Sequence, residues 1–152
     1  MSNLKTRWTD KVNYDCPLSE YPRPQLVRND WQCLNGKYEF TITGMTDEIP
    51  QNFDEEIIVP FAPECYLSGI ERTIEPEDYL WYRKKFILDD CFEGKRCILH
   101  FEAVDWRCIV YFNGKPVGTH QGGYIPFSFD VTEYLREGYN ELVVRVNDPT
   151  ET

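Results

Sequence analysis

Carboxylates are the most plentiful side chains in this sequence that could do chemistry. They cluster as Asp54-Glu55-Glu56, as Glu75 with Glu77-Asp78, and as Asp89-Asp90. A hydrolytic acid and base pair needs two carboxyls held about 5–9.5 Å apart across a cleft, one with its pKa raised by burial. Adjacent carboxylates on turns between strands are more simply solvated loop charge. His100 and His120 could each serve as a base and Ser68 or Ser128 as a nucleophile. No G-x-S-x-G spacing occurs, however, and no second partner sits at a motif spacing. His120 precedes Gln121-Gly122-Gly123 and reads as a polar group pinning a loop. Gly118 to Gly123 lacks both the Walker lysine and the dinucleotide-binding spacing, so no phosphate cradle or cofactor is expected.

Six cysteines (Cys16, Cys33, Cys65, Cys91, Cys97, Cys108) would allow 15 disulfide connectivities in a secreted chain. The first residues, Met1-Ser2-Asn3-Leu4-Lys5-Thr6-Arg7-Trp8, hold no apolar signal region, so reduced thiols and a cytoplasmic location are expected. Paired C-x2-C spacings are absent, which argues against a zinc site. Cys97 and Cys108 alternate with apolar residues and read as small core residues. The aromatics Trp31, Trp81, Tyr82, Trp106 and Tyr124 keep functional potential, since an apolar ring with a polar edge suits a sugar face. Core filling is the simpler reading for most of them. Trp81 and Tyr82 are adjacent on a strand, so at most one is in the core, and Trp106, beside Asp105 and Arg107, is the best exception.

These side chains must be positioned by strands. Tyr38, Phe40 and Ile42 alternate with Lys37, Glu39, Thr41 and Thr43, and Leu142, Val144 and Val146 alternate with Glu141, Val143, Arg145 and Asn147. This period of two is the strand signature. Ile57-Ile58-Val59, Leu80 to Leu88, Arg96 to Phe101 and Cys108 to Phe112 add further short strands. Prolines and glycines fall mostly between these runs, Pro22 and Pro24 among them, and Asn113-Gly114 predicts a tight hairpin. Asp130 to Arg136 is the one helical hint, with Asp130 or Thr132 as its cap and Gly138 as its stop. The whole predicts an all-β, antiparallel sandwich in one domain of 152 residues, with residues 1–24 a lead-in packed along its surface. The net charge of -10 disfavours nucleic acid and anionic membrane surfaces as partners.

Specific strings go further. Arg23-Pro24, Trp31 and Leu34-Asn35-Gly36-Lys37-Tyr38-Glu39-Phe40 open a series that continues through Val59-Pro60-Phe61, Leu67-Ser68-Gly69-Ile70 and Trp81-Tyr82-Arg83-Lys84-Lys85-Phe86. It runs on through His100-Phe101-Glu102-Ala103-Val104-Asp105, Asn113-Gly114, His120, Gly122-Gly123-Tyr124 and Pro126-Phe127-Ser128-Phe129-Asp130 to Gly138, Asn140 and Asp148. The series resembles the N-terminal sugar-binding domain of glycoside hydrolase family 2, the β-galactosidases, β-glucuronidases and β-mannosidases. The resemblance implies a galactose-binding-domain-like jelly roll over residues 25–152. In the family it is followed by an immunoglobulin-like domain and a TIM barrel carrying two catalytic glutamates. A barrel alone needs about 250 residues, so no catalytic residue is expected here.

The family's domain normally continues one strand beyond Asp148-Pro149-Thr150-Glu151-Thr152, which implies a fragment. The loop that lends side chains to sugar in some relatives corresponds to Gly69–Asp78. It carries Glu71, Arg72 and Glu75 without the asparagine some relatives use. Glu71, Arg72 and Trp106 are therefore the expected carbohydrate contacts. The expected partners are a β-galactoside-like carbohydrate and the remaining domains of a parent enzyme, with oligomerisation through an open sheet edge as a further route. A free-standing carbohydrate-binding module and a structural assembly sandwich are the alternative functions.

Overall fold

A computed structural model describes residues 5–19 and 28–149. Arg23-Pro24, Pro22 and Thr150 to Thr152 lie outside the described residues, as does part of the expected lead-in. Among the described residues eight strands follow in chain order: β1 Gly36–Thr43, β2 Glu55–Val59, β3 Tyr79–Ile87, β4 Ile98–Phe101, β5 Arg107–Phe112, β6 Lys115–Gln121, β7 Phe127–Asp130 and β8 Tyr139–Asn147. Six of them form an antiparallel sheet in the order β2-β1-β3-β8-β5-β6, and β4 pairs with β7 in a second, two-stranded sheet. Every pairing is antiparallel. This is the sandwich that the period-two pattern predicts.

The alternation fills the space between the sheets. Tyr38 and Phe40 of β1, Ile57 of β2, Leu80 and Phe86 of β3, Cys108, Val110 and Phe112 of β5, and Leu142, Val144 and Val146 of β8 form one buried cluster. Leu99 and Phe101 of β4 and Phe127 and Phe129 of β7 pack on it from the other side. Burial holds the Cys108 thiol up at about 11, against a smaller opposing effect of the His120 backbone N–H, so it stays protonated and inert at neutral pH. Cys33, Cys65, Cys91 and Cys97 are likewise free thiols.

The outer face of the large sheet departs from the simple pattern. Tyr82 packs on the core, yet Trp81, on the opposite face, is the more buried of the two at 0% exposure. Arg145 and Val143, in register positions that the alternation would give to solvent, are 6% and 1% exposed. The cause is the β1–β2 connection, which folds back over this face. Arg145 donates to the Thr46 carbonyl at 3.0 Å, pairs with Asp47, and lies over the rings of Tyr79 (4.3 Å) and Trp81 (5.8 Å). Trp81 stacks on Tyr111 at 6.3 Å and donates its indole N–H to the Thr43 hydroxyl at 2.9 Å. Phe53, from the same connection, covers Arg83. A second small core therefore sits outside the sandwich.

The Asn113-Gly114 hairpin joins β5 to β6, with φ of +50° and +78° at its two central residues. Such left-handed backbone suits asparagine and glycine. Asn113 has a second task. Its side chain donates to Asn140 Oδ1 (2.8 Å) and the Tyr134 carbonyl (2.8 Å) and accepts from the Glu141 N–H (2.9 Å). Asn140, fully buried, also accepts from the Arg136 N–H at 3.0 Å. The pair satisfies polar groups that burial would otherwise leave costly.

The helical hint shortens to a single 3-10 turn, Thr132–Tyr134. Asp130 organises its start, its Oδ1 accepting from the Thr132 hydroxyl (2.6 Å) and N–H (3.0 Å) and its Oδ2 from Arg96 Nε (2.6 Å). These bonds, the Thr132 hydroxyl first, hold the carboxyl down at about 2. An unfolded aspartate titrates near ~3.9. A depressed folded value gives a contribution present above the unfolded value and lost as pH falls from there through about 2. The expected result is an NMR titration midpoint for Asp130 well below those of ordinary carboxyls, and its return toward ~3.9 in Thr132→Val. An unchanged midpoint in that variant would show that the hydroxyl is not the cause.

Candidate functional site at one end of the sandwich

Register places several connections at the same end of the large sheet. Thr43 of β1 lies opposite Tyr79 of β3, Leu80 opposite Val146, and Arg107 of β5 opposite both Asn147 of β8 and Gln121 of β6. The β1–β2 connection, the end of the β2–β3 connection, the β4–β5 and β6–β7 connections and the segment after β8 therefore share one rim. They bring Glu75, Glu77 and Asp78, then Glu102, Asp105 and Trp106, then Tyr124 and Ile125, and finally Asp148 to that end.

Hydrogen bonds fix the rim. Asn147 donates to the carbonyls of Pro76 (3.1 Å) and Asp78 (3.2 Å), tying the end of β8 to the β2–β3 connection. Asp78 Oδ2 accepts from the Glu75 N–H at 2.9 Å. The Gly122 N–H donates to the Trp106 carbonyl at 2.7 Å, and His120 Nε2 lies 3.2 Å from the Gly122 carbonyl, the loop-pinning task its position predicts. Asp105 packs its carboxyl directly on Gly123, where an added Cβ would lie 2.2 Å from Oδ1. Burial pushes the Asp105 carboxyl above the usual aspartate range, and the charge of Asp148 pushes it the same way.

The expected contact residues fall at two places on this end. Trp106 is 40% exposed, with Tyr124 (92%) and Ile125 on the adjoining connection. Glu71, exposed and at φ +53°, and Arg72 belong to the β2–β3 connection. Arg72 donates to Glu55 at the start of β2 at 2.7 Å. In the sheet order β2 and β5 are four spacings apart, about 19 Å at ~4.8 Å each. Glu55 and Trp106 thus mark opposite flanks of the rim. Because Trp106 is held by its backbone and its ring is largely outside the core, Trp106→Ala is expected to change stability by no more than about 1 kcal/mol. Thermal unfolding checks this, and a loss above ~3 kcal/mol would mean that the ring is structural.

The other candidate groups are occupied. Glu56 pairs with Lys37 at 3.5 Å, and the buried Ser68 hydroxyl lies 2.7 Å from the Cys65 carbonyl and accepts from the Ile70 N–H. His100 stacks on Trp31 on the outside of the small sheet. Asp89 and Asp90 follow β3 at the end remote from the rim. Among the described residues there is no cluster of three or more potential metal ligands, and no helix is long and apolar enough to cross a membrane. The arrangement offers aromatic surface and hydrogen-bonding rim charge. Ser128 of β7 lies directly opposite His100 in the β4–β7 register, but the described hydrogen bonds join neither to the other. Sequence reasoning did not single out Asp105 and Asp148 as rim carboxylates, although both belong to the ordered string of motifs.

Comparison with known proteins bears on the same stretch. The family described as "Glycosyl hydrolases family 2, sugar binding domain" matches residues 66–150. A β-galactosidase of Thermoanaerobacter pseudethanolicus is 39% identical over 124 residues, covering 77% of this chain and 15% of that protein. The β-galactosidase BoGH2A of Bacteroides ovatus is 32% identical over 127 residues, covering 83% of this chain and 13% of that protein. Among solved structures, a β-glucuronidase of an uncultured Clostridium sp. superposes with a TM-score of 0.61 at 28% identity over 75% of this chain and 21% of that one. A Bifidobacterium dentium β-glucuronidase complexed with coumarin-3-O-glucuronide gives 0.62 at 28% identity, over 75% and 19%. The chain thus spans about a seventh of the length of these two β-galactosidases.

Proposed function

This chain belongs to glycoside hydrolase family 2, through the family's sugar-binding domain, and from that premise we propose that it is a non-catalytic jelly roll that borders the active site of a longer β-galactosidase-like enzyme. The observation that carries the reading is the extent of the family match. Residues 66–150 take in nearly every connection that meets at the rim. In this reading the catalytic pair stands on a TIM barrel elsewhere in the parent chain, and the rim supplies one wall of its sugar site. Trp106 offers a stacking face, and Glu71 and Arg72 offer polar contacts on the opposite flank.

Rim charge favours a neutral sugar over a uronic acid. Glu75, Glu77, Asp78, Glu102, Asp105 and Asp148 lie there and outnumber the exposed Arg107, while the charges of Arg145 and Arg72 are already paired with Asp47 and Glu55. A negative field disfavours a glucuronate carboxylate and leaves a galactoside unaffected. Calorimetric titration of the chain with a methyl β-galactoside separates the bordering role from a free-standing binding module. One wall of a shared site gives no saturable binding below about 1 mM, which is only ~4 kcal/mol of affinity. Saturable sub-millimolar binding would replace this reading with the module.

A further inference from the structure

The outer face of the large sheet carries two arginines that the sugar-binding role does not use. In the β5–β8 register Ile109 lies opposite Arg145 and Arg107 opposite Asn147, so Arg107 and Arg145 are diagonal neighbours on one face, about 7–8 Å apart along the backbone diagonal. Arg107 is exposed, and its neighbour Cys108 faces the core. Among the described residues no carboxylate pairs with Arg107. Its cross-strand partners, Gln121 and Asn147, are neutral. Arg145 is held differently. Its side chain is 7% exposed, whereas that of Asp47, its carboxylate partner on the β1–β2 connection, is 88% exposed. The described hydrogen bonds of this guanidinium use Nη1 alone, to the Thr46 carbonyl and to Asp47. No buried side-chain nitrogen among the described residues lacks a partner, so the Nε and Nη2 edge of Arg145 reaches solvent. The rings of Tyr79 and Trp81 fix the group in place. The charge of Asp148, next in the chain after Asn147, reaches Asp105.

Two guanidiniums one diagonal apart offer more donors than a single exposed carboxylate can use. A carboxylate brings one charge and two oxygens, whereas a phosphate group brings about two charges and at least three acceptor oxygens, enough to meet both forks at once. We propose that Arg107 and Arg145 form a binding site for a phosphate group, free or as a phosphate monoester, with Asp47 as a tethered carboxylate that competes for Arg145. Arg145 supplies the rigid half of the site through its open Nε and Nη2 edge. Arg107, with no partner to give up, supplies the mobile half and closes on the ligand from the neighbouring strand. Asp47 holds the place of the anion in the meantime, because a buried guanidinium left without one is costly. A solvated carboxylate is the easier of the two partners to displace, since its own desolvation is not at stake.

The test is an NMR titration of the chain with inorganic phosphate, at an ionic strength held constant with chloride, reading the Nε–H signals of both arginines and the amides of residues 44–48. Saturable shifts at both Nε–H groups are expected, with half-saturation below about 10 mM. Asp47→Asn is expected to tighten binding by about three- to tenfold, because the competing charge is gone. Arg107→Gln is expected to weaken it by about as much. Arg107 is exposed, so that variant tests binding apart from folding. A parallel titration with glycerol 3-phosphate separates the two sources: tighter binding than inorganic phosphate assigns the site to monoesters, and equal or weaker binding assigns it to the free ion. Equal affinity in Arg107→Gln, shifts that chloride alone reproduces, or no saturation in Asp47→Asn below about 10 mM would each overturn the proposal. If Asp47→Asn does not fold, the unaltered protein compared with Arg107→Gln still decides it, because equal titrations there contradict the assignment.

Discussion

Trp81→Ala is expected to lower the thermal midpoint by roughly 6–20 °C, the shift that follows from about 3–5 kcal/mol in a domain of this size. The indole is fully buried although it faces away from the main core. Its removal takes away the stack on Tyr111, the hydrogen bond to Thr43 and the ring beneath the Arg145 guanidinium. Arg145 would then keep its charge in a buried place with part of its packing gone, which adds to the cavity cost. The β1–β2 connection, held by Arg145 through Thr46 and Asp47, should loosen as well. Hydrogen exchange at residues 44–54 reads that loosening apart from global stability. A midpoint shift below about 3 °C would show that the outer face is covering rather than core.

Gly36→Ala should be nearly as damaging, at about 2–5 kcal/mol. Two costs combine at this position. Its φ is +109°, where a side chain is strained, and a Cβ there would lie 2.3 Å from the Asp15 carbonyl oxygen. That neighbour is backbone and cannot rotate away. The substitution therefore must push residues 13–17 off the start of β1, breaking the Asn35 bond to the Pro17 carbonyl. Chemical denaturation measures the loss, and faster proteolysis at residues 13–17 would localise it. Stability within 1 kcal/mol of the unaltered protein would mean that this contact is dispensable.

How far such features can be read from sequence depends on their range. The hairpin at Asn113-Gly114 was legible because positive φ at two successive residues is a local demand that composition records. The alternation in β1 and β8 gave the inner face correctly. It misassigns Arg145 and Val143 because it assumes one wet face, whereas both are buried and a connection 99 residues from Arg145 in sequence binds that side chain through Thr46. The Asn113–Asn140 bond spans 27 residues and likewise leaves no local trace. At the rim, the ordered motifs identified the domain. They did not identify the rim itself, because no local pattern records that Asp105, Asp78 and Asp148 end at the same side of the sheet. That convergence follows from strand register.

The most direct test of the whole reading is an activity assay of this chain alone with aryl β-galactoside and aryl β-glucuronide substrates. The account predicts no turnover above the blank with either one, since it puts the catalytic pair on a barrel elsewhere in the parent chain. Saturable hydrolysis that co-purifies with the chain would contradict it.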